Sequence, residues 1–208
     1  PDTSIDWLCL PRFDSPSVFA RLLDRERGGT WSFKPVEDWR ATAGYVRNTN
    51  VMRTEVAMAD GAIEIYDFAP RFLQGLKVDA PIELCRLLRP LSGTPRVRVH
   101  FDPRPDYGRA SVEVVAAGTG LEVVGGPTRL HLASNVPAPY LQDGSSIRID
   151  RPTFFAFSAG KPPMVSSAPE AENALEQTIR GWRVWAKTTA LPSFAPESVL
   201  RSALCLKL

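Results

Sequence analysis

Two aspartates near the start of the chain could supply general acid and general base chemistry. Asp6 and Asp14 flank a short strand-like segment, and two carboxylates held apart can protonate a leaving oxygen and activate a water. Ser15 and Pro16 follow Asp14 directly, and an aspartate in that place commonly organises a turn. The turn interpretation is therefore favoured over a catalytic pair.

Residues that carry metal or nucleophilic chemistry are few and scattered. Cys9, Cys85 and Cys205 are far apart and form no CxxC pair, and His100 and His131 lie in apolar, strand-like runs. A zinc site needs clustered ligands, and a catalytic serine triad needs a nucleophile motif. We therefore expect no metal and no cofactor, and we expect the cysteines to be buried free thiols in a reducing cytoplasm.

The composition is that of an ordinary globular protein. Of 208 residues, 44% are hydrophobic, and 25 basic residues nearly balance 23 acidic ones. A nucleic-acid-binding domain usually concentrates its basic residues on one face, whereas here they are scattered among acids. No stretch approaches the roughly 18 consecutive apolar residues of a membrane span. Neither a nucleic acid nor a membrane is expected as a partner.

The pattern along most of the chain is that of short strands joined by turns. Apolar and polar residues alternate on both sides of Asp60 and Gly61, a pair typical of a tight hairpin. Residues 83–91 and 97–101 are interpreted as a second strand pair. Near the start, Ser15 and Pro16 fit the first positions of a helix that Gly28 and Gly29 would end. With few helices between the strands, an antiparallel β-sandwich is favoured over a parallel sheet.

The pattern changes after Gly160. A helix is predicted from Pro169 to the Leu191-Pro192 pair, because apolar residues recur there at helical spacing. A second helix is predicted from Pro196 onward, and it reaches Leu208 with its apolar face unfinished. The pattern therefore divides the chain into a β-rich part at 1–165 and two helical segments at 166–195 and 196–208.

Three segments resemble a known family. The opening SIDWLCLPRFDSPSVFARLL at 4–23 is similar to the start of glycoside hydrolase family 15 proteins of the glucoamylase-like and trehalase-like kinds. PRPDYG at 103–108 resembles a second landmark of their N-terminal domain. GWRVWAK at 181–187, followed by VLRSALCLKL at 199–208, is similar to the junction with their catalytic domain.

The resemblance implies that residues 1–165 are a supersandwich-like β domain, that 166–195 are a helical linker, and that 196–208 begin the first helix of a catalytic barrel of paired helices. It also implies that the two catalytic glutamates lie beyond Leu208, since no residue here matches their motifs. The implied chemistry is the inverting hydrolysis of α-glucosides. In one respect the chain departs from the family pattern: Thr3 stands where relatives commonly have glycine.

Four residues of the opening segment are candidates for a loop at the substrate pocket of the larger enzyme: Trp7, Arg12, Phe13 and Asp14. Aromatic rings can pack against the C–H faces of a sugar, and the charged groups of arginine and aspartate can form hydrogen bonds with its hydroxyl groups. The alternative is that Trp7 and Phe13 belong to the core while Arg12 pairs with Asp14 or Asp6, because buried aromatic residues usually serve packing.

Three further aromatic residues are interpreted as packing residues between domains. Tyr107 lies in a compact turn, and Trp182 and Trp185 lie three residues apart on one helix face, where apolar stripes usually form a packing surface. The functional hypothesis is a non-catalytic accessory domain that packs on its own catalytic domain. A free-standing carbohydrate-binding module and a homo-oligomerisation module remain open alternatives.

Overall fold

The computed structural model describes residues 2–75 and 77–207. Pro1 and Leu208, the outer ends of the predicted segments 1–165 and 196–208, lie outside the described residues. The elements follow in chain order: β1 (Leu8–Cys9), β2 (Ser17–Phe19), β3 (Thr30–Pro35), β4 (Trp39–Tyr45), β5 (Met52–Met58), β6 (Gly61–Phe68), β7 (Phe72–Gln74), β8 (Lys77–Asp79), β9 (Glu83–Gly93), β10 (Arg96–Asp102), β11 (Glu113–Ala117), β12 (Gly120–Val124), β13 (Leu130–Ser134), α1 (Ala138–Gln142), β14 (Ser146–Arg148), β15 (Thr153–Ala159), α2 (Ala168–Thr188) and α3 (Pro196–Leu206).

Two antiparallel sheets face each other. The large sheet has eight strands in the order β11-β12-β13-β15-β9-β6-β5-β4, and the small sheet has the order β14-β10-β3. Aromatic residues of both sheets meet in the space between them: the rings of Phe33 and Phe155 are 5.0 Å apart, and those of Trp31 and Phe157 are 5.8 Å apart. The predicted mainly β, antiparallel sandwich is confirmed.

The large sheet is covered on both faces, and its central strand shows why. In β15, Phe155 and Phe157 belong to the core between the sheets, whereas Phe154 and Ala156 belong to a second core beneath the helices. A strand that is buried on both faces has apolar residues at nearly every position of its sequence. By contrast, β10 alternates exposed and buried residues, because the small sheet has one face in water.

Helix α2 closes the second core, and Ser167 caps its start. The hydroxyl of Ser167 accepts a hydrogen bond from the amide of Glu170, and the Glu170 carboxylate accepts bonds from the amide and hydroxyl of Ser166. The bond to Ser167 satisfies one of the amides that a helix start leaves unpaired. The buried face of the helix includes Ala174, Leu175 and Trp182.

The predicted hairpin is confirmed, and the helix predicted between Ser15 and Gly28 is wrong. Met58 pairs with Gly61 across the β5–β6 turn. Ser17 to Phe19 instead form a strand that pairs with β1, and the carbonyl of Val18 accepts a hydrogen bond from the amide of Arg104. Pairing with distant segments therefore outweighs the local helical spacing, as tertiary context commonly does.

The predicted pairing of 83–91 with 97–101 is also wrong. Both segments are strands, but β9 lies in the large sheet and β10 lies in the small one. The chain changes sheets at residues 93–95, where Gly93 has a left-handed φ of 65° and the amide of Thr94 bonds the carbonyl of Asp60. Each strand then finds a partner far away in sequence.

The cysteines differ in exposure. Cys85 is buried, Cys9 is half-buried and Cys205 is exposed, so the prediction that all three are buried is wrong for Cys205. Burial raises the pKa of the Cys85 thiol well above its ordinary value, which keeps this thiol protonated and unreactive. Cys205 lies on α3, where the side chains of Leu200 and Leu204 instead occupy the buried face.

Candidate functional site

The predicted pocket residues lie at one end of the sandwich. Strands β1 and β2 form a small antiparallel pair, and the loop between them carries three of the candidates, Arg12, Phe13 and Asp14. The turn is closed by two hydrogen bonds between Arg12 and Ser15: Ser15 N to Arg12 O at 3.1 Å, and Arg12 N to Ser15 Oγ at 3.2 Å. Phe13 projects from this turn with 90% of its surface exposed.

Arg12 and Asp14 form a two-point ion pair. The distances are 2.8 Å from Nε to Oδ1 and 3.1 Å from Nη2 to Oδ2, and both side chains are more than half exposed. The hydrogen bond from Arg12 lowers the pKa of Asp14 below its ordinary value. Asp14 is therefore a carboxylate at neutral pH and cannot donate the proton that a general acid supplies.

Asp6 is held by different partners. Its Oδ1 accepts a hydrogen bond of 2.6 Å from Thr30 Oγ1 and lies 3.7 Å from Arg21 Nη1. Each of the two aspartates thus has its own cation and its own neighbours. The geometry supports the structural interpretation of both and gives no support to a catalytic pair.

Other exposed apolar side chains are carried by segments that bond to this end. Leu22 and Leu23 are 72% and 70% exposed, Trp7 is 43% exposed, and Tyr107 is 44% exposed. The amide of Leu22 bonds the carbonyl of Asp6, and the amide of Tyr107 bonds the carbonyl of Ser17. We call five of the exposed residues the loop-end surface: Trp7, Phe13, Leu22, Leu23 and Tyr107.

The turn that carries the two leucines depends on a glycine. The amide of Ala20 bonds the carbonyl of Gly28 at 2.7 Å, and a Cβ atom at position 28 would lie 2.3 Å from the carbonyl carbon of Ala20. No side chain fits there, so the loop can close only with glycine. Sequence reasoning missed Leu22 and Leu23 because their spacing also fits an amphipathic helix.

The two tryptophans of α2 lie elsewhere. Trp182 is only 2% exposed, its ring is 4.2 Å from the Arg71 guanidinium carbon, and it meets the edge of Trp185 at 6.1 Å between centroids. Trp185 is partly buried against the same core. The contacts of Trp182 are thus between the helix and the sandwich of this chain, and the ring offers almost no surface to a further domain.

Helix α3 docks on the sandwich through a polar contact that the sequence did not reveal. Arg201 stacks over the ring of Tyr45 at 4.0 Å, donates to Thr49 O at 2.8 Å, and bonds the side-chain oxygen of Asn50. Asn50 in turn donates to the carbonyl of Leu204 at 2.7 Å. The middle and the C-terminal part of α3 are thereby fixed to the turn between β4 and β5.

Two absences can be stated for residues 2–75 and 77–207. No three His, Cys, Asp or Glu side chains come together as possible metal ligands. In the same part of the chain, no helix has both the length and the apolar character needed to cross a lipid bilayer.

The fold and the loop-end surface define a β-sandwich domain with its two long helices on one face and an exposed apolar end. The profile of the family described as "Trehalase-like, N-terminal" matches residues 1–143, and the chain belongs to this family. The predicted resemblance to the N-terminal domain of glycoside hydrolase family 15 proteins is thereby confirmed. The match includes the segments 4–23 and 103–108, whereas 181–187 lies beyond it.

The curated relatives are longer proteins. The trehalase of Thermoplasma acidophilum is 28% identical over 98% of this chain and 36% of its own length. The trehalase of Mycobacterium tuberculosis is 28% identical over 100% of this chain and 34% of its own length. Trehalase 1 of Sulfolobus acidocaldarius is 46% identical over a shorter stretch, 32% of this chain. The chain spans about a third of the length of the first two. No solved structure shows a significant match.

Proposed function

We propose that this chain is the non-catalytic N-terminal domain of an inverting α-glucoside hydrolase and that it packs on the catalytic region of the same protein. The observation that carries the proposal is the match of nearly the whole chain to trehalases about three times as long. Trehalose is the first substrate to test for the larger protein, because the relatives are named trehalases. Maltooligosaccharides are the next substrates to test.

The loop-end surface is the proposed contact with the catalytic region. Exposed apolar patches commonly mark a contact with another protein surface, and each of these five side chains is more than two-fifths exposed. If this surface meets the catalytic region, the Arg12 loop of the larger protein would lie near the entrance of the substrate pocket. Tyr107 and the half-buried Trp185 are the remaining candidates for interdomain packing.

The first experiment separates an accessory domain from a free-standing binding module. The chain is titrated with trehalose, maltose and soluble starch by calorimetry, and its hydrolysis of trehalose is assayed beside the protein that includes the catalytic region. We expect neither binding heat nor hydrolysis from the chain, and trehalose hydrolysis from the longer protein. Clear saccharide binding by the chain would favour the binding module instead.

The second experiment tests the Arg12 loop. In the longer protein, Arg12→Ala should lower kcat/KM for trehalose by about tenfold or more, with little change in Tm, because the exposed ion pair contributes little stability. The matched control is Arg129→Ala, which removes another exposed arginine paired with a carboxylate, Glu122 at 3.1 Å. Equal losses of activity and Tm in Arg12→Ala would refute a pocket role for the loop.

A reducing compartment such as the cytoplasm is part of the proposal. Within the described residues, the three cysteines are free thiols, which suits a reducing environment. Self-association stays a prediction, and sedimentation of the chain over a range of concentrations tests it. A monomer at all concentrations would exclude the homo-oligomer.

A further inference from the structure

Arg86 is a charged residue in the interior of the sandwich. It lies in the middle of β9 with 1% of its surface exposed. Its guanidinium carbon is 5.0 Å from the ring of Trp31 and 4.4 Å from the ring of Phe33, so the side chain points toward the small sheet. A buried charge destabilises a fold unless it is paired and its donors are bonded.

The bonds of Arg86 reach three separate segments. Asp67, directly opposite on β6, accepts from Nε at 2.8 Å and from Nη2 at 3.2 Å. Nη1 donates to the carbonyl of Trp31 at 2.9 Å, and Nη2 donates to the carbonyl of Thr3 at 2.7 Å. Asp67 neutralises the charge, and the other two bonds tie β9 to β3 and to the first residues of the chain.

These first residues lie along β3 as an extra pairing segment. The amide of Ile5 bonds the carbonyl of Trp31 at 2.8 Å, and the amide of Trp31 bonds the carbonyl of Ile5 at 3.2 Å. Thr3 Oγ1 bonds both the carbonyl and the amide of Phe33. The Trp31 carbonyl is therefore shared between Ile5 and Arg86, at the point where the segment is held.

The same segment leads directly into the loop-end surface. Trp7 follows Asp6, and the carbonyl of Asp6 accepts a hydrogen bond from the amide of Leu22. A shift of residues 3–6 along β3 would thus move Trp7 and the turn that carries Leu22. The positions of Trp7 and of this turn therefore depend on residues 3–6, and the carbonyl of Thr3 in this segment accepts a hydrogen bond from Arg86.

We propose that Arg86 is a positioning residue that fixes residues 3–6 on β3 and, through them, the placement of the loop-end surface. Its consequence for catalysis rests on the proposed function. The choice of arginine follows from geometry: a planar fork can bond a carboxylate and two carbonyls at once, whereas the single ammonium of a lysine cannot match that fork.

The test uses Arg86→Lys in this chain, with Arg89→Lys as the matched control. Arg89 lies on the same strand and also bonds a carboxylate, that of Glu172, but it lies on the helix side. Hydrogen exchange is followed at the amides of Ile5 and Leu22. We expect about tenfold faster exchange or more at these two amides in Arg86→Lys, with β6 and β15 unchanged, and no such change in Arg89→Lys.

Two outcomes would overturn the proposal: unchanged exchange at Ile5 and Leu22, or an equal acceleration throughout the large sheet. If Arg86→Lys does not fold, removal of residues 1–3 tests the same contact from the other side, because it withdraws the Thr3 carbonyl and leaves Arg86 paired with Asp67. Unchanged exchange at Ile5 in the shortened chain would equally overturn it.

The enzymatic consequence is measured in the longer protein. Arg86→Lys should raise KM for trehalose about fivefold or more while changing kcat less than about twofold, as expected when binding rather than the chemical step is disturbed. If hydrogen exchange changes as expected but the longer protein has no hydrolase activity, the proposed function is refuted. The positioning role of Arg86 is supported in that case. A fall in kcat with KM unchanged would contradict the placement of this loop at the substrate entrance.

Discussion

The loop end of the sandwich and its helix-covered face use the same residue types in opposite ways. Trp7 and Phe13 at the loop end are 43% and 90% exposed, whereas Trp182 beneath α2 is 2% exposed. All three stand in segments that the sequence marks as candidate contact surfaces. The difference is that the helix-covered face has its covering element within this chain, while the loop end has none among the described residues. An aromatic residue becomes core or contact surface according to what covers it.

The largest expected effect comes from the helix-covered face. Trp182→Ala should lower the free energy of unfolding by about 3–5 kcal/mol, because it empties a buried site and removes the contact with Arg71. Trp7→Ala is the matched change at the loop end, and it should cost less than about 1 kcal/mol. Urea denaturation of both variants measures the contrast. Similar losses in the two variants would mean that the two regions do not differ as described.

A smaller effect is expected from Glu83, which lies under the segment that joins β15 to α2. The carboxylate of Glu83 accepts a hydrogen bond of 2.7 Å from the amide of Met164. Burial raises the pKa of Glu83 above its ordinary value. A raised pKa in the folded state favours the protonated form, so this contribution to stability is present at low pH and is lost as the pH rises through that pKa.

The measurement is the unfolding free energy of the parent minus that of Glu83→Gln, at about pH 4 and about pH 7. We expect this difference to fall as the pH rises. Other carboxylates are common to both proteins and cancel in the difference. A difference that rises with pH would show that the bonds from the linker amides outweigh the desolvation of Glu83.

The start of α2 should give a still smaller change. Ser167→Ala removes the hydroxyl that accepts the Glu170 amide, and the loss of such a cap costs about 1 kcal/mol. Glu170 would keep its bonds to Ser166. Circular dichroism during thermal unfolding measures the change. An unaltered Tm would indicate that packing of the helix on the sheet fixes its start without the cap.

The smallest effect on stability is expected at the loop end. Phe13→Ser replaces a side chain that is 90% exposed, so the free energy of unfolding should change by less than about 0.5 kcal/mol. In the longer protein the same change should lower trehalose hydrolysis if the loop-end surface meets the catalytic region. A large loss of stability in the chain by itself would show that Phe13 already packs within this domain.

Local patterns predicted most of the strands and both long helices. The turn at Asp60 and Gly61 and the helix that begins near Pro169 are encoded in residues that lie side by side, so their signals can be read from a short window. The turn and the ion pair of Arg12 with Asp14 are also local, and the residue types at 12–16 indicate both.

The pairings that join distant segments could not be predicted in this way. One partner of β10 is β3, more than sixty residues earlier, and one partner of the Arg86 side chain is Thr3, 83 residues away. For the same reason the spacing of Val18, Phe19, Leu22 and Leu23 predicted a helix that does not form. Long-range hydrogen bonds decide such segments, and a short window does not contain them.

By itself the sequence determined the class of the fold, the order of sandwich and helices, and the resemblance carried by residues 4–23. These depend on the alternation of apolar residues, on turn-forming residues and on a linear motif. Only the tertiary structure decided which aromatic residues are covered, which sheet each strand joins, and how a buried arginine holds the start of the chain. Burial and long-range pairing arise from contacts between segments, and their free energies depend on all the segments that meet.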